Sequence, residues 1–162
     1  MSILTVLTII KLVHIVSASL WVGGILFTVI VNRRLRKTYP PVEATKMLGV
    51  VGRAIQRPMR YSLYLAVVSG LFILLTRGFG VQLLTSLAFY ATHLGMILLI
   101  KMILTVAVLL MLPLHSRLGR RLYEMEDGPE YSRDRLKMLV VGWATLCLTL
   151  AIIAMGTLLR FS

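Results

Sequence analysis

Acidic side chains are scarce in this chain: six Asp and Glu stand against eighteen Lys and Arg among 162 residues. None of the six lies inside a long apolar run, which excludes a pump or cation channel built on intramembrane carboxylate relays. Cysteine is nearly absent. Cys147 alone cannot form an intrachain disulfide, and one thiol is too few for an iron–sulfur or zinc site, so it reads as a small helix residue. There is no Ser-His-Asp grouping, Walker loop, HExxH or dinucleotide fingerprint, no fixed-period repeat and no low-complexity segment. The N-terminus has no basic region ahead of its first apolar run, and that run is too long for a signal peptide, so cleavage is not expected.

What the chain has is hydrocarbon. Apolar residues make up 58% of it and mean hydropathy is +0.88, against about 45–50% apolar in ordinary soluble domains. Four long runs hold most of this, so residues 1–162 read as a single all-α integral membrane domain, an up-down-up-down four-helix bundle in the lipid bilayer. The net charge of +12 is concentrated: eight Lys and Arg fall between Asn32 and Arg60, and six between Ser116 and Lys137. That is the positive-inside pattern of membrane insertion, and it argues against nucleic acid as a partner. The expected location is a prokaryotic plasma membrane with both termini outside.

The first run, Ile3 to Val31, ends in the basic cluster Asn32 to Lys37, and Tyr39-Pro40-Pro41 breaks it because proline lacks a backbone donor. Val42 to Gln56 is amphipathic, either a short interfacial helix after the first span or an extension of the next. The second span covers about Met59 to Leu75, opening with Arg57, Arg60, Tyr61 and Tyr64 at the interface. The third runs from near Leu83 to Leu112, where Pro113 stops it. Glu124 to Asp134 forms a soluble loop, and the fourth span is Leu136 to Leu159. Small residues (Ser17, Ala18, Gly24, Ser69, Gly70) offer close-packing faces. A homo-oligomer is compatible with this composition.

Three histidines could carry chemistry. His14 and His93 each lie ten residues into an inward-running span, about 15 Å at 1.5 Å per residue. Equal depth points to an axial pair for haem b in the outer half of the membrane. The alternative for each alone is a hydrogen bond to a Ser or Thr of a neighbouring helix. His115, near the inner end of the third span, reads as interfacial or as a metal ligand for a second haem. Lys11 shares a face with His14; it either pairs, with Arg77, with haem propionates or snorkels to the headgroups. Lys101, expected near the midplane, needs a carbonyl, a cofactor carboxylate, a partner chain or deprotonation. The nine methionines raise Cu(I) as an alternative cargo, but they are scattered and suit core filling better.

The series Lys11, His14, Ile15, Trp21, Gly24, Leu26-Phe27 resembles the first helix shared by the copper-resistance protein D family and the HemJ type of protoporphyrinogen oxidase. Arg60-Tyr61-Ser62 is similar to that group's entry to the second helix, and Lys101 to the lysine of a later one. The resemblance implies a small helical membrane protein with a haem or copper site at His14 and with Lys11, Trp21 and Lys101 around the bound group. The function expected is electron transfer by haem b near the outer face, with quinol as a candidate donor. The enzymatic version is a haem-dependent oxidoreductase. Copper transport or tolerance and HemJ-like protoporphyrinogen oxidation are the alternatives.

Overall fold

The computed structural model describes residues 3–76, 78–80, 85–126 and 128–161. They form α1 (Ile3–Thr38), α2 (Pro41–Thr76), the single turn α3 (Leu87–Tyr90), α4 (His93–Glu124) and α5 (Pro129–Phe161). There is no strand among the described residues. The four long helices are each long and apolar enough to cross a bilayer, as expected where backbone groups must satisfy one another without water. Their surfaces agree: Leu20, Ile30, Leu110 and Val140 are each more than 60% exposed. A multi-pass membrane protein can leave such residues in lipid; in water they would form an apolar patch of unusual size.

At 36 residues, α1 and α2 are each about 54 Å long, well beyond the ~30 Å hydrocarbon layer. The surplus carries the basic segments past the apolar zone. α1 packs along α2, and α4 along α5; the two hairpins then meet through α2–α4 and, more sparingly, α1–α5. The ring order is therefore α1, α2, α4, α5. Its centre is filled by Trp21, Leu63 and Val108, with Val22, Val67 and Leu148 packed against them. Trp21 also donates its indole N–H to Thr149 Oγ1 at 3.4 Å, tying α1 to α5 across the bundle.

Close helix approach depends on glycine at two points. A Cβ at Gly49 would lie 2.7 Å from the Tyr123 ring, so α2 and α4 meet there with no room for a side chain. A Cβ on Gly95 would run into the carbonyl of Phe89, which folds α3 onto the head of α4. Thr92 caps that head, its hydroxyl accepting from the Gly95 N–H at 3.1 Å.

Helix ends differ from the sequence expectation at several places. The amphipathic stretch from Val42 is the first part of α2, so of its two readings the extension holds. Pro58 lies inside α2, and Pro113 lies inside α4 without stopping it. Each proline forfeits one intrahelical bond, a penalty of about 3 kcal/mol. The acidic loop is also shorter than expected. α5 begins at Pro129, so Tyr131 and Asp134 are buried helical residues. The third span begins ten residues later than expected, at His93.

Candidate functional site

The interior stripe of α1 is His14, Ser17, Trp21, Gly24 and Thr28, spaced three and four apart so that all face α2 and the bundle axis. His14 is half-buried and its Nδ1 lies 2.8 Å from the carbonyl oxygen of Ala66 and 3.2 Å from Ser69 Oγ, both on α2. A carbonyl only accepts, so Nδ1 must carry the proton and donate it. Ser69 in turn donates to the Leu65 carbonyl at 2.6 Å, which leaves its oxygen lone pairs toward the ring. The tautomer of the neutral imidazole is thereby fixed, and the free lone pair is on Nε2. Nε2 makes no hydrogen bond among the described residues.

Gly70 makes this posture possible. A Cβ there would stand 3.0 Å from His14 Cε1 and 3.4 Å from Nδ1. The ring therefore lies close against the α2 backbone, with Ser17 buried one turn below it and the Trp21 core beneath that.

Lys101 approaches from α4. Its charge bears on the His14 ring, and its Nζ is 3.3 Å from the place a Cβ on Gly156 would take, at the seam between α4 and α5. Lys101 was expected near the midplane, eighteen residues into its span. With α4 starting at His93 it is only the ninth residue, at the level of His14, toward the end of the bundle where α1 and α4 begin. An imidazole with an anchored Nδ1 and an ammonium group from a different hairpin thus lie within electrostatic reach of one another.

The other expected site residues are distributed differently. His93 is exposed in the first turn of α4. It lies eight residues, about 12 Å, above Lys101 along α4. The common depth expected for His14 and His93 is therefore corrected: the late start of α4 leaves His93 at the mouth of the bundle, a helical stretch above the His14 ring. His115 is half-buried fourteen residues beyond Lys101, about 21 Å toward the basic end. Lys11 is exposed. Trp21 belongs to the packed core under His14. Arg77 lies outside the described residues. Groups of three or more His, Cys, Asp or Glu able to hold a metal are absent among the described residues.

Sequence reasoning missed Ser69, Ala66 and Gly70 as the bed for His14. Ser69-Gly70 stood out only as a close-packing pair. The signal available was a small, hydroxylated patch on the second span at a depth matching the histidine of the first. Also missed was a polar link at the basic end, where Gln56 Nε2 donates to Ser116 Oγ at 2.6 Å and Arg53 stacks 5.7 Å over the Tyr123 ring. No protein-family model, curated protein or solved structure matches the chain.

Proposed function

We propose that this chain is a membrane-embedded haem b protein that transfers electrons near the outer face of a bacterial-type plasma membrane, with quinol as a candidate donor. One observation carries the reading: His14 is held as metal-ligating histidines are held. Such residues almost always donate the second ring N–H to a carbonyl, carboxylate or water, which fixes ring orientation and raises the basicity of the coordinating nitrogen. His14 donates Nδ1–H to Ala66 and turns Nε2 away from that contact. The same geometry fulfils the plainer expectation of a bond to a neighbouring serine. Both hold together, because the anchoring bond uses Nδ1 and leaves Nε2 for the iron.

Haem, when bound, supplies a one-electron couple at its iron. The chain's own residues do the rest. Lys101 offers a cation for a propionate inside a low-dielectric bundle, where an ion pair is stronger than in water. Trp21, Leu63 and Val108 close the floor and keep the inner half dry. His14 from one hairpin and Lys101 from the other would hold the group between them, where the two hairpins meet sparingly. The basic ends of the helices then face the cytoplasm and both termini face outward.

The test is an oxidised and reduced absorption spectrum of detergent-purified protein, with haem assay, for wild type, His14→Ala and His93→Ala. His14→Ala is expected to lose the bound haem, while His93→Ala keeps it. Haem retained at wild-type level in His14→Ala refutes the reading. Copper in place of haem on elemental analysis, lost with the same substitution, would make this a copper site. A second reading, HemJ-like oxidation of protoporphyrinogen, is favoured by Lys101, whose ammonium suits a tetrapyrrole carboxylate. Release of fluorescent protoporphyrin from added protoporphyrinogen by the purified protein separates the two.

A further inference from the structure

Toward the basic end, the seam between α4 and α5 gathers sulfur and nitrogen donors that are far apart in the sequence. Three contacts fix how the two helices pair. Lys101 Nζ lies 3.3 Å from the place a Cβ on Gly156 would take. Thr145 Oγ1 donates to Met111 Sδ at 3.6 Å. The methyl of Met138 stands 3.6 Å from the place a Cβ on Gly119 would take. As α4 advances eight residues from Met111 to Gly119, α5 therefore runs back seven, from Thr145 to Met138. His115, midway along this stretch of α4, stands level with Val141 and Gly142.

At 3.6 residues per turn, His115 is rotated about 40° from Met111 and about 40° from Gly119, so it falls between the two positions that touch α5. The imidazole is half-buried and makes no hydrogen bond among the described residues. Met111 and Met138 are half-buried as well. Met111 lies one turn before His115 on α4, and Met138 packs one turn after it from α5, which puts a thioether on either side of the ring. Neighbours four apart on a helix have Cβ atoms about 5–6 Å apart, and the flexible methionine chain lets each sulfur turn inward. There is room for a guest: a Cβ on Gly142 would meet nothing within 4 Å. Gly142 shares a helix face with Met138 and Thr145.

We propose that Met111, His115 and Met138 form a three-coordinate site for Cu(I), separate from the haem position at His14. The donor set selects the ion. All three ligands are neutral. No acidic residue occurs in 111–119 or 138–145, and the one thiol, Cys147, is exposed. Zn(II) would bring two uncompensated charges into a low-dielectric seam. Cu(I) brings one, and thioether and imidazole donors suit it. His115 lies fourteen residues from Lys101, about 21 Å along α4, so this metal is not shared with the His14 level.

Full-length protein in detergent, stripped of metal and titrated anaerobically with Cu(I) against a chromophoric Cu(I) chelator, tests this. Wild type is expected to take up one Cu(I), with sulfur and nitrogen in its first shell by X-ray absorption, and His115→Gln to lose it. Met111→Leu and Met138→Leu, which conserve volume, should each weaken binding about tenfold or more, since even outer-shell partners of a ligand are worth about 10–100-fold. Met102→Leu, at an exposed position of α4, should bind as wild type does. His14→Ala should also keep its Cu(I) while losing haem, so failure at one site is distinguishable from failure at the other. Circular dichroism and thermal unfolding confirm that each variant is folded. The site is overturned by a wild type that retains no Cu(I), by wild-type affinity in Met111→Leu or Met138→Leu, or by loss of Cu(I) in His14→Ala or Met102→Leu. Uptake of Zn(II) as tight as that of Cu(I) would also overturn it.

Discussion

Replacing Trp21 probes whether the bundle is organised around its middle. The side chain is 5% exposed, packed against Leu63 and Val108, and its N–H reaches Thr149. In a water-soluble core Trp→Ala costs about 3–5 kcal/mol, made of a transfer part and a cavity part. Here the unfolded reference is a micelle as apolar as the core, so the transfer part largely falls away. About 2–3 kcal/mol of lost packing is left. Trp21→Phe keeps most of the ring contact and removes only a long 3.4 Å hydrogen bond. Its effect should stay near 0.6 kcal/mol, the average for interhelical bonds in membranes. Thermal or denaturant unfolding in detergent, followed by circular dichroism, measures both. If Trp21→Ala is destabilising by no more than Trp21→Phe, Trp21 is not packed in the interior and the arrangement of helices around it is wrong.

Further outcomes follow from single contacts. Tyr131→Phe removes a hydroxyl that bonds both Thr45 and the Pro41 carbonyl, which still bond each other, and should destabilise by about 0.5–1.5 kcal/mol. Thr45→Val should add little to it in the double variant, because the two share one bond. Gly70→Ala places a methyl 3.0 Å from His14 Cε1. The ring must then shift by a few tenths of an ångström against Ala66, and the haem spectrum should shift or haem content fall while helix content stays constant. Lys101→Met should release haem on detergent washing faster than wild type, with the axial signature of His14 unchanged; no change in retention would remove Lys101 from the site.

The four long helices were legible because each carries an apolar run longer than a bilayer requires, and helix is the only single-segment answer in lipid. The interior stripe was legible in part, since His14, Ser17, Trp21 and Gly24 fall at helical spacing. What could not be read was where α4 starts. Leu83, Leu84, Leu87 and Phe89 are as apolar as the span itself, so hydropathy runs on through the turn α3, whose Phe89 is buried over Gly95. That ten-residue error alone produced the apparent match in depth between His14 and His93, and it put Lys101 at the midplane. Pro113 misled in the opposite sense: a proline is expected to stop a helix, yet this one runs on through it to Glu124, packed against α5. The Tyr131–Thr45 bond joins residues 86 positions apart. Nothing local to Tyr131 marks it as a structural pin.

The central claim is that Nε2 of His14 is free for iron. It is tested most directly by supplying that nitrogen from outside. His14→Gly protein purified without additive should lack the reduced haem band. Adding imidazole with haemin should restore it, with a spectrum close to that of wild type. Restoration that proceeds equally well without imidazole, or a His14→Gly protein already carrying a full complement of haem, would contradict the account.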